Sequence, residues 1–364
     1  MDKRWLTKYP AGMPAEIDLA SYASLREVFT SSFERFAKLP AYSNMGVSIT
    51  YRELDEASQA FGSFLQHELG LKKGDRVAIM LPNLLQYPVA LLGVLRAGMI
   101  AVNVNPMYTA RELEHQLKDS GAAAIVVLDN FAHTLQEVLD TNPGLKLRVV
   151  TTAIGDLFPW LRSMVTHFVV KHVKHLVPAW RIADTIRLED ALRRGHELPL
   201  ENVPLTHDDL AFLQYTGGTT GVAKGVMLSH GNMVANLLQV AAWIARDLKD
   251  GEETALIPLP LYHVYALTCN LVYMKIGAHI LLITNPRDMA DFIGTLKKTP
   301  VTAMIGVNTL YRALLDAPGF DAVDFSQLKV ASAGGMAVQR VVAERWKART
   351  GVPLVEGYGL TETA

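Results

Sequence analysis

Eleven consecutive residues, Tyr215-Thr216-Gly217-Gly218-Thr219-Thr220-Gly221-Val222-Ala223-Lys224-Gly225, combine four glycines, three threonines and one lysine. Glycine lets a backbone come close to a phosphate and adopt φ > 0. Successive N–H groups in such a loop form an anion-binding concavity, to which a lysine adds a point charge and hydroxyls add donors. The run therefore reads as a polyphosphate loop. It does not follow the order G-x-x-x-x-G-K-[ST], because Lys224 precedes a glycine. Read alone, it also admits a plain glycine-rich hairpin.

Three later stretches offer further chemistry. Leu259-Pro260-Leu261-Tyr262-His263 ends on an imidazole, which by itself fits a hydrogen-bonded core histidine as well as a site residue. Ala333-Gly334-Gly335-Met336 sits between an expected strand and an expected helix and could be a tight turn. Gly357-Tyr358-Gly359-Leu360-Thr361-Glu362 brings together an aromatic ring, a hydroxyl and a carboxylate. Taken singly, such a tyrosine is a packed turn residue and such a glutamate is solvated.

In their order along the chain, the loop, the stretch ending at His263 and the stretch ending at Glu362 resemble the signature of the adenylate-forming superfamily: acyl-CoA ligases, luciferases and peptide-synthetase adenylation domains. The likeness extends to Thr50-Tyr51-Arg52-Glu53-Leu54, Leu81-Pro82-Asn83, and Ala97-Gly98 through Asn105-Pro106. Within that superfamily, Leu81-Pro82-Asn83-Leu84-Leu85-Gln86-Tyr87-Pro88-Val89-Ala90 and Gly306-Val307-Asn308-Thr309-Leu310 are most similar to bacterial long-chain fatty-acid–CoA ligases.

The resemblance implies specific roles. Thr216, Gly217, Gly218, Thr219, Thr220, Gly221 and Lys224 would bind the β- and γ-phosphates of ATP. Gly218 stands where the family commonly has serine, which removes one hydroxyl donor. Ala223 replaces the usual proline before the lysine, which loosens the loop. Tyr358, beside Gly359, would stack on adenine, as an aromatic face does on a base. Gly334, Gly335 and Met336 would let adenine lie against backbone. Thr361 would meet the α-phosphate, and Glu362 would engage Mg2+, which favours carboxylate and phosphate oxygens. His263 would orient the acyl carboxylate. The catalytic set is thus His263, Lys224, Thr361 and Glu362.

The implied reaction is attack of a fatty-acid carboxylate on the α-phosphorus of ATP, release of pyrophosphate, and transfer of the acyl group from acyl-AMP to CoA. Both reactants are anionic, so donors and cations must meet the charge that develops. No acid lies among Val264, Tyr265, Ala266 and Leu267, which speaks against an amino-acid substrate, whose ammonium would need a partner. Val234, Leu237, Leu238, Val264, Leu267, Val307 and Leu310 are candidates for an apolar acyl tunnel. The rivals are a fatty acyl-AMP ligase serving a carrier protein and a non-catalytic nucleotide- or lipid-binding module.

The elements that must position these residues alternate between helical and strand patterns. Helices are expected over 25–38, 51–69, 87–97 and 111–120. Strands are expected over 49–51, 76–81, 101–105, 124–128, 210–214, 226–228, 255–257, 280–283 and 303–305. Such alternation predicts an α/β fold of stacked, mostly parallel sheets with flanking helices. The expected division is a first α/β subdomain over 1–206 and a second over 207–364 that carries the phosphate loop and acyl site. By the resemblance, this is the large N-terminal domain of the fold. The ribose-binding aspartate, the basic hinge residue and the small C-terminal domain with its catalytic lysine have no counterpart up to Ala364.

Residues 157–177 break the rhythm. Leu157, Trp160, Leu161, Met164, Val165, Phe168, Val169, Val173 and Leu176 recur at helical spacing, against Arg162, His167, Lys171, His172, Lys174 and His175, with no acid in the stretch. A basic amphipathic helix suits an anionic membrane surface, the alternative being a helix packed on its own protein.

Composition limits the rest. The chain has 364 residues, 50% hydrophobic and 20% charged, with formal net charge −1. That is an ordinary globular balance with no global reason to bind nucleic acid. A single cysteine, Cys269, excludes an intrachain disulfide and fits a reducing compartment. The charged N-terminus does not read as a signal peptide, and no apolar run reaches membrane-spanning length. The expected location is cytoplasmic, with peripheral contact at the inner face of the cell membrane through 157–177. The family resemblance leaves room for a homodimer.

Overall fold

The computed structural model describes residues 3–217 and 222–364. In chain order its strands are β1 (Pro40–Asn44), β2 (Val47–Thr50), β3 (Arg76–Met80), β4 (Ile100–Asn103), β5 (Ala124–Leu128), β6 (Arg148–Thr152) and β7 (Ile186–Arg187). They continue with β8 (Leu210–Thr216), β9 (Lys224–Ser229), β10 (Thr254–Ile257), β11 (His279–Leu282), β12 (Ala303–Gly306), β13 (Val330–Ala333) and β14 (Leu354–Glu356). They form two 7-stranded sheets, ordered β14-β13-β12-β10-β11-β1-β2 and β7-β6-β5-β3-β4-β8-β9. Each sheet is parallel except for one antiparallel edge hairpin, β1–β2 in the first and β8–β9 in the second. This is the expected α/β architecture of mostly parallel sheets.

Strand side chains sort by alternation. Val77 and Ile79 of β3 join the same core as Ala255 and Ile257 of β10, while Ala78 and Met80 face a second core and Leu256 a third. Successive residues point to opposite faces, so strands buried on both sides read as unbroken apolar runs. The shared central core takes in the helices Leu25–Phe36, Tyr51–His67, Gln86–Arg96 and Val264–Lys275. The outer cores are covered by Met289–Lys298, Asn308–Leu315 and Arg340–Thr350 on one side, and by Ala110–Ser120 and Ala132–Thr141 on the other.

Local signals set the helix ends. Thr50 and Thr109 accept from the N–H three residues on, and Glu53 and Glu112 reach back, closing capping boxes on Tyr51–His67 and Ala110–Ser120. Gly121 ends the latter helix at φ 58°, a conformation that favours glycine.

The division at 206/207 does not follow the sheets. Hairpin β1–β2, from the first half, pairs with β11, and hairpin β8–β9, from the second half, pairs with β4. The phosphate-loop hairpin therefore belongs to the sheet built otherwise from residues 76–187, and each sheet finishes the other's half of the chain.

The 157–177 stretch also departs from a single helix. An α-helix over Trp160–Phe168 passes into a wide π-type turn over Val169–Val173. Phe158 is buried, but Trp160 is 75% and Phe168 60% exposed, and Leu161, Met164, Val165, Val173 and Leu176 are exposed as well. Leu157, at the start of the stretch, packs on the central core, but the apolar side from Trp160 to Phe168 is left uncovered. Arg162 anchors the helix through the carbonyls of Met45 and Gly46, and His167 Nε2 lies 3.0 Å from the buried Asp156 carboxylate, not aligned for a hydrogen bond. Among the described residues, no helix is long and apolar enough to cross a membrane.

Candidate functional site

The phosphate-loop stretch leaves β8 and returns on β9. Thr216 and Lys224 stand directly opposite each other in this antiparallel ladder, which puts both side chains on one face. Gly217 and Lys224 are exposed; Gly218, Thr219, Thr220 and Gly221 lie outside the described residues. Both approaches to the loop are tied to the Ala110–Ser120 helix. The Tyr215 hydroxyl donates to Asp119 Oδ2 at 2.6 Å, and His115 Nε2 meets the Ala223 carbonyl at 2.8 Å as donor. Burial and the Asp119 carboxylate together push the Tyr215 hydroxyl pKa well up, keeping it protonated. A Cβ on Gly225 would lie 3.0 Å from the Tyr215 ring, so a glycine fits there.

His263 stands at the N-cap of the Val264–Lys275 helix, its ring 4.6 Å from that of Tyr262. The residue is open to solvent, yet the surrounding protein still disfavours its charged form and lowers its pKa by desolvation. The loop that presents it is held by buried amides. Asn83 Oδ1 accepts the Leu261 N–H at 2.9 Å, and Asn83 Nδ2 donates to Leu259 O at 2.9 Å and Ile257 O at 3.2 Å. Gln214 Nε2 donates to the Tyr262 carbonyl. The motif ending at His263 is thereby joined to β8 two residues before Thr216.

The glycine stretch is joined next. Tyr265 shares a hydrogen bond of 2.9 Å with Ser332, and a Cβ on Gly334 would lie 2.9 Å from the Tyr265 ring. Gly335 has φ +75°, which L side chains rarely adopt, and Met336 is exposed. Ala333 pairs with Glu356 across β13–β14, and the Gly357 N–H donates to the Ala333 carbonyl at 2.8 Å. Tyr358 follows, 93% exposed, with its ring free to take a planar partner. Thr361–Thr363 forms a short 3-10 turn that packs on β9, and Asn236 Nδ2 holds the Ala364 carbonyl at 2.7 Å.

Through these contacts the structure links the stretches carrying Thr216, Lys224, His263, Gly334, Tyr358, Thr361 and Glu362, with His263, Gly334 and Tyr358 following the carboxyl ends of β10, β13 and β14. Ligands bind beyond such strand ends of open parallel sheets. Glu362 is exposed and next to the β9 hairpin; one accessible carboxylate suits Mg2+, which takes one or two carboxylates and completes its shell with phosphate and water. Among the described residues no group of three or more His, Cys, Asp or Glu side chains converges. Two surface cavities lie elsewhere, an open one on the Ala110–Ser120 helix and one behind the 157–177 stretch, lined by Asn130, His167 and Arg187 among others.

Asn83, Tyr87, Asn103 and Gln214, the buried polar groups behind the site, have no motif chemistry of their own. Asn83, Tyr87 and Asn103 lie in stretches that carry the family resemblance, but the resemblance assigns no role in the site to any of the four; the signal that marks them as buried is polarity inside otherwise apolar strand and helix patterns.

Residues 29–364 match the family described as AMP-binding enzyme. The long-chain-fatty-acid–CoA ligase of Salmonella typhimurium is 54% identical over all of this chain, that of Yersinia pestis 51% and that of Bacillus subtilis 34%. The chain spans 65% of the length of the Salmonella protein. Among solved structures, anthranilate CoA ligase AuaEII in complex with anthranoyl-AMP superposes with a TM-score of 0.80 at 20% identity, over 95% of this chain and 62% of that one. The N-terminal domain of FACL13 from Mycobacterium tuberculosis gives a TM-score of 0.73 at 20% identity, over 94% and 77%. At these identities the likeness establishes the fold.

Proposed function

Because the chain belongs to the AMP-binding enzyme family, we propose that it is the substrate-binding body of a long-chain fatty-acid–CoA ligase. The observation that carries this reading is the linkage of the stretches carrying Thr216 and Lys224, His263, and Thr361 and Glu362. Whole-chain identity to fatty-acid–CoA ligases supports the substrate class.

In this reading Lys224 and Thr216 hold the β- and γ-phosphates, together with the loop residues between them. Tyr358 stacks on adenine, which Gly334, Gly335 and Met336 let lie against backbone. His263, kept neutral at pH 7 by its lowered pKa, orients the fatty-acid carboxylate as a hydrogen-bond donor, without a fixed charge of its own. A carboxylate oxygen attacks the α-phosphorus as the bond to the pyrophosphate oxygen breaks. Thr361 donates to the α-phosphate oxygens that gain charge. Mg2+ held by Glu362 would neutralise phosphate charge. In the second step the CoA thiolate attacks the acyl carbonyl and AMP leaves.

ATP–pyrophosphate exchange by residues 1–364 with a C8 to C18 fatty-acid panel tests the first step. Exchange that depends on fatty acid and disappears in Lys224→Ala supports the reading. Exchange driven by amino acids, or intact in that variant, would sink it. Comparing CoA with a carrier protein as acyl acceptor separates the CoA ligase from a fatty acyl-AMP ligase.

A second, compatible reading concerns location. The exposed apolar side of Trp160–Phe168, beside the exposed Lys171, His172, Lys174 and His175, fits shallow insertion into an anionic bilayer, where a fatty acid is at its most concentrated.

A further inference from the structure

We propose that Gln214 and Asn103 are positioning residues that fix the His263 loop to the strand leading into the phosphate loop. The proposal rests on the reading of the site given above and adds two residues to it. Among the described residues no strand pairing joins the two sheets, and side-chain hydrogen bonds link the β8 side of the site to the loop after β10. Gln214, on β8, is 2% exposed; Asn103, the last residue of β4, is also buried.

The relay has only one consistent direction. The Tyr262 carbonyl can only accept, so the Gln214 amide must turn its Nε2 toward it. That leaves Gln214 Oε1 to accept from Asn103 Nδ2 at 3.0 Å. Asn103 Oδ1 is then left as an acceptor, and the single Tyr87 hydroxyl proton is shared between it at 2.7 Å and the Leu261 carbonyl at 2.9 Å. Flipping Gln214 would set N–H against N–H at Asn103 and oxygen against the Tyr262 carbonyl, and flipping Asn103 would set oxygen against oxygen at Gln214. Gln116 Nε2 fixes the Asn103 backbone by donating to its carbonyl at 2.8 Å. The relay begins and ends on the same loop, at Tyr262 and Leu261, immediately before His263. Deleting the Gln214 amide leaves Asn103 Nδ2 buried without an acceptor and takes the donor from the half-buried Tyr262 carbonyl, which is then free to turn toward another one. Strand β8 itself stays held by its ladders to β4 and β9. The acid side of the site should therefore suffer and the nucleotide side should not.

The test is separate titration of residues 1–364 with decanoate and with ATP, alongside Tm, for wild type, Gln214→Met and Tyr87→Phe. For Gln214→Met the expected result is decanoate binding weakened by about tenfold, the size of one unmet buried group, with ATP affinity within about twofold. Tyr87→Phe should move in the same direction by less. A lowered Tm with both affinities unchanged, or equal loss of both ligands, overturns the proposal. If Gln214→Met does not fold, Tyr87→Phe decides alone: unchanged decanoate affinity overturns it. If wild type binds neither ligand, the functional reading fails, and amide exchange settles the positioning claim by itself. The Leu261 and His263 amides should exchange faster in Tyr87→Phe; equal protection would refute the relay.

Discussion

Lys224 faces Thr216 across the β8–β9 ladder, and its ammonium is exposed on the hairpin linked to the other motif stretches. A point charge aimed at a polyphosphate contributes where charge builds up on the leaving pyrophosphate, so Lys224→Ala should lower exchange by about 10²- to 10³-fold, the range for removal of one preorganised donor. Circular dichroism should stay unchanged, since the lysine is solvent-exposed; a folding defect would show that it acts structurally. At His263 the prediction concerns pH. Desolvation lowers its pKa, so the neutral imidazole predominates at pH 7 and charging requires acid below its ordinary value of about 6.5. The KM for fatty acid should therefore be flat from pH 7 to 8 and change only on the acid side. In His263→Asn, that acid-side change should disappear.

At the scale of elements, Gly334 marks where β13 turns into the site under the Tyr265 ring. A methyl at Gly334 would meet ring atoms at 2.9 Å, and that ring is itself hydrogen-bonded to Ser332, so it cannot swing away cheaply. Gly334→Ala should cost about 1–3 kcal/mol by overpacking and raise the KM for ATP, and Tyr265→Leu should relieve the clash; denaturant midpoints would show both. The amphipathic stretch makes its own prediction. Charge reversal of Lys171 and Lys174 to Glu, or Trp160 and Phe168 to Ala, should reduce sedimentation with vesicles containing anionic lipid; equal binding by all variants would remove the membrane from the picture. Periodicity made many of the strands, and the helices over 25–38, 51–69, 87–97 and 111–120, readable, because apolar runs and capping pairs such as Thr50 with Glu53 are local signals. Strand β1 was not readable: Pro40–Asn44 carries proline, serine and asparagine, and it takes strand form between its hairpin partner β2 and β11, which pairs with it from 238 residues away. The amide relay behind His263 escaped for the same reason. Asn83, Asn103 and Gln214 have meaning only once two distant sheets are in contact. The exposure of the 157–177 apolar face, too, depends on what the rest of the chain leaves uncovered.

At the scale of the molecule, the exchange of hairpins makes the two halves interdependent, and the start of the first helix is tied to the second half through a titratable ring. His230 opens the helix His230–Ile244 in full burial, and its Nδ1 accepts the Leu25 N–H at 3.3 Å at the start of Leu25–Phe36. Asp209 favours its charged form, but burial dominates, aided by Arg26, Lys73 and His207, and lowers its pKa to about 4. Accepting from an N–H also requires the neutral ring. With a folded pKa below the unfolded value of about 6.5, the unfolded chain binds the extra proton between those limits, so this contribution is complete above pH 6.5 and drains away as pH falls toward 4. The slope from this one group is at most about 1.4 kcal/mol per pH unit. Between pH 6.5 and 5.0, above the range where most carboxylates titrate, the urea midpoint of the wild type should fall steadily. In His230→Gln, starting from a lower midpoint at pH 7.5 because the Leu25 N–H loses its ring acceptor, the decline over the same interval should be shallower. Parallel slopes in the two proteins would show that His230 does not link the halves of the molecule to pH.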